Sequence, residues 1–176
     1  MDDFWSAVQH DLPTVGQFLG VSFHLLVATI LGGVIGLERA HSGQAAGLRT
    51  HMLVALGTAM FLLVAIQSGA SRADQSRVIQ GIVTGIGFVG AGAILKIAES
   101  ERVKGLTTAA SIWATAAAGI AVGLGRVWMA VLGSFFAWLI LSQLKGLEAR
   151  VHPPQLVTDE SKAPGKSDAD EFAAPR

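Results

Sequence analysis

The sequence predicts an all-α integral membrane bundle of five transmembrane helices, with the N-terminus outside the cytoplasm and the C-terminus inside. Three observations carry this reading. Of 176 residues, 51% are hydrophobic and 15% are charged, against about 25% charged in soluble domains. Mean hydropathy is +0.51. The charged residues also cut the apolar sequence into five stretches, each near the roughly 20 residues that a helix needs to cross a bilayer.

The first span runs from about Gly16 to Leu37, behind an extracytoplasmic flank of residues 1–15. That flank opens on the acidic Met1-Asp-Asp-Phe-Trp5, where a secretory signal would be basic, so no cleaved leader is expected. The second span runs from about Met52 to Ala70, the third from Val78 to Leu95, the fourth from about Leu106 to Leu124 and the fifth from Val127 to Leu144. Gly-Leu-Gly-Arg126 leaves only a tight turn between the last two, which makes them antiparallel neighbours. Together the spans form a transmembrane domain over residues 16–145. Residues 146–176 carry Pro153, Pro154, Pro164, Gly165 and a dense mix of Asp, Glu, Lys and Ser, and read as a polar, disordered cytoplasmic tail.

Orientation follows from Lys and Arg in the short loops. Arg72, Arg77 and Arg126 fall on one side; Arg39, Arg49, Lys96, Arg102, Lys104, Lys145 and Arg150 fall on the other, which is therefore cytoplasmic. Trp5, Trp128 and Trp138 are candidate interfacial or lipid-facing aromatics.

The third span is the most unusual. It has no charge between Arg77 and Lys96 and holds Gly81, Gly85, Gly87, Gly90 and Gly92. Glycine weakens a helix in water, but in lipid small residues let backbones approach, so this face is expected to mark where neighbouring spans pack. Gly85-Ile-Gly-Phe-Val-Gly90 also fits a dinucleotide-binding pattern. That pattern needs a preceding strand and a helix start, and here it lies inside a span, so helix packing is the better account. Gly32-x-x-x-Gly36 and Gly119-x-x-x-Gly123 repeat the spacing on the first and fourth spans. Gly47-Leu-Arg-Thr50 and Gly105-Leu-Thr-Thr108 each open a span after a glycine-rich span and a charged loop, which suggests a duplicated helical hairpin whose copies run in the same sense.

Few residues could carry chemistry. Glu38 and Arg39 end the first span; an intramembrane carboxylate is expensive to leave alone, so Glu38 should find Arg49, Arg39 or backbone amides and clasp the first hairpin. The two Gly-Leu-x-Thr boxes point helix N-termini at the membrane edge, a setting for an anion or an acidic partner group. Thr50, Thr107 and Thr108 could equally serve as caps. Asp74 and Arg77 have the spacing of a pair at a helix start on the opposite side. His24, Gln67, Gln80, Thr84, Ser111 and Thr115 are the polar groups in or near the hydrocarbon, of a kind that more often bond across helices than line a path.

Other classes are disfavoured. A net charge of zero gives no general attraction to nucleic acid. With no cysteine there is no disulfide, iron–sulfur or cysteine–zinc site. No phosphate loop, nucleophile elbow or H-E-x-x-H is found, so neither an enzyme nor a cofactor is expected. Magnesium conduction calls for oxygen ligands and retained waters, and Glu38 and Asp74 sit at opposite ends of the spans.

Gly36-Leu-Glu38-Arg39, Ala46-Gly-Leu-Arg-Thr50, Asp74-x-x-Arg77 leading into Gly85-Ile-Gly-Phe-Val-Gly-Ala-Gly92, and Val103-Lys-Gly-Leu-Thr-Thr-Ala-Ala110 with Trp113, taken in order, resemble the MgtC/SapB family of bacterial inner-membrane proteins. The resemblance covers roughly Leu31 to Leu124. It implies a non-enzymatic, multi-pass inner-membrane protein tied to growth at low magnesium and, in some pathogens, to survival inside macrophages. It also implies action on partners such as the F-type ATP synthase, alongside possible homo-oligomers, rather than direct ion transport. The motif positions it marks are Glu38, Arg39, Gly47, Arg49, Thr50, Asp74, Arg77, Gly85, Gly87, Gly90, Gly92, Gly105, Thr107 and Thr108. Virulence members continue into a soluble ACT-like domain and tend to have Asn and Cys where this chain has Thr107 and Ala114, so the resemblance is to a short form restricted to the membrane domain. A small transporter or channel for Mg²⁺ or another ion is the alternative reading.

Overall fold

A computed structural model describes Met1, residues 12–96 and residues 103–151. Trp5 with most of the N-terminal flank, and the tail beyond Val151, lie outside the described residues. Five helices account for nearly all of what is described: α1 (Val15–His41), α2 (Leu48–Gln67), α3 (Arg72–Gly92), α4 (Leu106–Gly123) and α5 (Val127–Val151). Between α3 and α4, Leu95–Lys96 pairs antiparallel with Val103–Lys104 as a short hairpin, β1 and β2.

Local signals set the helix bounds. Thr14 caps α1 through a reciprocal box with Gln17, and Ser71 caps α3 by accepting from the Asp74 amide. Gly43, Gly69 and Gly125 take positive φ in the turns after α1, α2 and α4, a conformation with little cost only for glycine. The expected third span is displaced: its helix runs from Arg72 to Gly92 rather than from Val78 to Leu95, because Ser71 starts it early and Leu95 joins the hairpin. Helix α5 runs past Lys145 to Val151. By length and composition α1, α2, α4 and residues 127–144 of α5 can each cross a membrane. Helix α3 is as long, but its first turns carry Arg72, Asp74, Gln75 and Arg77.

Small residues build the centre of the bundle. Ala28, Ala55, Ala59, Val122 and Ala130 form the buried cluster, with Leu25, Val27, Leu31 and Ala121 against it. Helix α2 lies between α1 and α4. A Cβ placed on Gly32 would sit 2.5 Å from the His51 carbonyl, and one on Gly36 would sit 2.8 Å from Leu48 Cα. On the other seam a Cβ on Gly119 would meet Thr58 and the Ala55 carbonyl, and one on Gly123 would sit 2.7 Å from Leu62 Cβ. Both G-x-x-x-G pairs are thus used for backbone contact against α2. Gly119 faces Ala55 and Gly123 faces Ala59, so α2 and α4 run parallel, as two hairpins of the same sense require.

Large apolar side chains point the other way. Phe18, Phe61, Phe88, Trp113, Trp128 and Phe135 are all more than half exposed. Small residues inside with large ones outside is the arrangement of a bundle solvated by lipid, where burial of apolar surface gives no net drive to associate.

Filling the central seam should therefore cost stability. Gly119→Ala should lower the thermal midpoint of the detergent-solubilised chain by the equivalent of roughly 1–3 kcal/mol. Gly57→Ala, whose added methyl meets nothing within 4 Å, should leave the midpoint unchanged or slightly raised. Identical midpoints for Gly119→Ala and the unsubstituted chain would show that the α2–α4 seam has slack.

Candidate functional site

The polar residues gather at the end of the bundle where α1 stops and α2 and α4 begin. Arg39, in the last turn of α1, is 4% exposed. Its Nη2 donates to Thr108 Oγ1 at 3.4 Å, and Thr108 Oγ1 donates in turn to Gln44 Oε1 at 3.1 Å. Nη1 of Arg39 lies 3.8 Å from Glu38 Oε2, while Glu38 Oε1 accepts from the Ser42 hydroxyl at 2.7 Å. Neither Glu38 Oε2 nor Arg39 Nε has a hydrogen-bond partner among the described residues. A loose, buried ion pair of this kind sacrifices hydration for little attraction.

Of the partners expected for Glu38, Arg39 is the one it meets, but the pair does not clasp the first hairpin. Glu38 is served by Arg39 and Ser42, and Arg49 is exposed. Arg39 crosses instead to α4, so the polar end ties α1 and the Ser42–Ala46 turn to the start of the fourth helix. The threonines are not the caps: Gly47 and Gly105 hold the N-cap positions of α2 and α4, without a side-chain cap bond. Gly105 sits at φ 96, and a Cβ there would run into the Ala93 carbonyl, so this junction requires glycine on two counts. Of the motif residues, Glu38, Arg39, Gly47, Gly105, Thr107 and Thr108 converge here; Thr50 is half-buried at the start of α2.

Beneath this layer lies a residue that sequence reasoning passed over. His51 is fully buried; its Nδ1 is 3.0 Å from the Gly47 carbonyl and its Nε2 is 3.2 Å from Ser111 Oγ. The carbonyl can only accept, so Nδ1 carries a hydrogen. Ser111 Oγ also lies 2.8 Å from the Thr108 carbonyl. A neutral ring takes the Ser111 hydrogen at Nε2; a doubly protonated ring donates to Ser111, which then turns to Thr108. The available signal was the position of His51, four residues after the box glycine, where a helical side chain reaches back to the Gly47 carbonyl.

The remaining motif residues lie elsewhere. Asp74 and Arg77 pair at the opposite end, Arg77 Nη1 donating to Asp74 Oδ1 at 2.7 Å, with both side chains largely exposed. The Ser71 hydroxyl donates to Asp74 Oδ2 at 2.6 Å, and this bond, with the Ser71 cap and Arg77, holds the carboxyl below the usual carboxylate range. The cap is Ser71; Asp74 occupies the third helical position. Along α3, a Cβ on Gly90 would sit 3.5 Å from Ala109 Cβ on α4, but one on Gly81, Gly85, Gly87 or Gly92 would meet nothing within 4 Å. The glycine face expected to pack against neighbouring spans therefore has no partner within the chain among the described residues. Helix α3 faces α4 from Ile82 to Gly90, and an apolar groove of about 400 Å³ opens against α2, lined by Thr58, Phe61, Val78, Gly81, Ile82 and Gly85. No group of three or more His, Asp or Glu residues able to hold a metal ion occurs among the described residues.

Comparison with known proteins gives these residues a context. The model of the MgtC family matches residues 25–150. The chain is 46% identical over 144 residues to Protein SrpB of Synechococcus elongatus, covering 76% of this chain and 79% of that one. It is 40% identical over 134 residues to the "Putative magnesium transporter YhiD" of Escherichia coli K12, covering 72% of this chain and 61% of YhiD. Protein MgtC of Brucella abortus is 43% identical over 121 residues, 68% of this chain and 49% of that protein. The chain thus spans about half to three fifths of the latter two relatives. No solved structure matches it.

The buried His51–Ser111 contact is testable as a coupled pair. His51→Phe should destabilise the detergent-solubilised chain by about 1–3 kcal/mol, since it strands polar groups in the interior. Ser111→Ala should then cost clearly less on the His51→Phe background than alone. Additive losses in thermal or denaturant unfolding would show that the two side chains do not interact.

Proposed function

The chain belongs to the MgtC family, and from that premise we propose that it acts as a non-enzymatic protein of magnesium-limited or stress-adapted growth, working through helix contacts with itself or with a membrane partner. It is a multi-pass protein of the bacterial inner membrane. The link to magnesium rests on the names that its relatives carry. One observation supports the mode of action: among the described residues nothing lies within 4 Å of a Cβ placed on Gly81, Gly85, Gly87 or Gly92 of α3, and Gly81, Gly85 and Gly92 share one helix face. In lipid, glycine on an exposed helix face forfeits side-chain contact with the acyl chains and gains only if another backbone approaches. Gln80 and Thr84 are exposed on the same helix, and an amide in hydrocarbon is expensive unless a partner satisfies it. The resemblance to virulence members makes the F-type ATP synthase one candidate partner.

Because a Cβ on Gly85 or Gly87 would meet nothing within 4 Å among the described residues, Gly85→Leu and Gly87→Leu are expected to leave the protomer folded while abolishing self-association or partner co-purification, and with it growth at low magnesium. If oligomer size, co-purification and growth all survive both substitutions, the glycine face is not the working surface.

A second reading, conduction of Mg²⁺ or another ion, is favoured by the name of the Escherichia coli relative and would place Glu38 and Asp74 at the mouths of a path. Between these ends the bundle centre is filled by alanine and valine, so such a path would have to form between copies. Proteoliposomes holding only this protein, under a gradient and an imposed potential, should show no flux above empty vesicles if helix contact is the function. Saturable flux would replace it with transport.

A further inference from the structure

Two cavities meet beside Arg39. The first, about 340 Å³, is lined by Arg39, Ser42, Gln44 and Thr107 on one side and by Ile140, Leu141 and Leu144 of α5 on the other. The second, about 360 Å³, is a nearly wholly apolar groove between α4 and α5, lined by Ala110, Ala114, Gly133, Phe136 and Ala137 among others. They share Thr107, Ile140 and Leu141, so a polar chamber at the end of the bundle continues into an apolar channel along two helices. Thr107 and Ala114 both line the groove.

The chamber is built for an anion. Arg39 is nine-tenths buried, its Nε–H has no acceptor among the described residues, and its pairing with Glu38 is loose at 3.8 Å. A guanidinium is always charged and presents five donors, and two of its nitrogens have only distant partners here. Helix α4 begins at the same place. Its N-cap is glycine with no side-chain bond, and among the described residues no acceptor meets the amides of Leu106, Thr107 and Thr108. The positive end of the helix therefore adds to the guanidinium. On the far side of the α4 start, Lys104 lines a third cavity with Gly105 and Thr108. The groove asks for something different. It offers small and aromatic apolar walls, and Phe136 and Ile140 beside it are more than half exposed on the face that lipid covers.

We propose that chamber and groove together hold one anionic phospholipid, its phosphate at Arg39 and the start of α4, and one acyl chain lying between α4 and α5. A single amphiphile satisfies both halves: the phosphate oxygens face the Arg39 guanidinium that lines the chamber and the first amides of α4, and the chain fills the groove opened by Gly133. Charge-assisted bonds to a phosphate give the polar half its hold, and the groove contributes through close contact along the chain.

Native mass spectrometry of the full chain in detergent micelles tests this. Dioleoyl phosphatidylglycerol should bind saturably at one lipid per chain. Dioleoylglycerol, which has the chains without the phosphate, and glycerol 3-phosphate, which has the phosphate without the chains, should each bind at least about tenfold more weakly. A Cβ at Gly133 meets nothing within 4 Å, so Gly133→Leu fills the groove without disturbing the bundle and should weaken the phospholipid about tenfold. Gly20→Leu, at the opposite end and equally unhindered, should not. Arg39→Gln should weaken it similarly and Arg39→Lys less; if Arg39→Gln fails to fold, Gly133→Leu and the two half-ligands still decide. Unchanged binding to Gly133→Leu, or equal binding of dioleoylglycerol, overturns the proposal. Glycerol 3-phosphate binding as tightly as the phospholipid would assign the chamber to free phosphate and overturn the lipid.

Discussion

Everything in this bundle depends on how closely three backbones approach around α2. Lipid tails are as apolar as leucine, so the hydrophobic effect that assembles a soluble core gives no advantage to helix association once the helices are in the membrane. What remains is contact, and contact is densest where side chains are smallest. Gly32 and Gly36 bring α1 onto the Leu48–Ala55 stretch of α2, and Gly119 and Gly123 bring α4 onto Ala55–Leu62. The buried cluster is accordingly alanine with one valine, and the aromatic side chains are displaced to the outside.

Close approach at the centre determines what the polar end can be. With α1, α2 and α4 locked, the last turn of α1 and the first turns of α2 and α4 converge, and their polar groups share one small volume. Arg39 reaches Thr108, Thr108 reaches Gln44, and His51 bridges Gly47 and Ser111. The Arg39–Thr108, Thr108–Gln44 and His51–Ser111 bonds each cross between elements far apart in the chain, so the network reads out whether the helices are in register. It is also incompletely satisfied: among the described residues Glu38 Oε2 and Arg39 Nε have no partner. Buried polar groups left in that condition are costly, and the Arg39 side chain that carries one of them also lines the chamber with the apolar extension.

Helix α3 stands apart from this economy. It leans on α4 through Gly90 and Ala109 and is anchored at the hairpin where Gly105 meets Ala93, but most of its glycines are uncovered. It also carries the polar first turns and the exposed Gln80 that keep it from being a simple lipid-facing span. A helix with those properties is the natural surface for contact outside the protomer, whereas the other two glycine motifs are consumed within it.

The residue order alone determined the class of molecule, the number of helices and the tight turn before Arg126, because apolar length, loop charge and closely spaced turn glycines are local properties. It also determined that Gly32, Gly36, Gly119 and Gly123 would serve backbone contact, since their spacing puts each pair on one helix face. It could not decide which glycine faces meet one another: the third span has the richest pattern and the fewest internal neighbours, and that follows from where α4 sits, not from the pattern. Partner choice at the polar end was equally out of reach. Glu38 could have met Arg49 by distance in the chain, and only the three-dimensional convergence of α1 with α4 gave Arg39 to Thr108 and sealed His51 against Ser111. Local periodicity tells a chain what to form; the packing of one rod against another decides what each side chain touches.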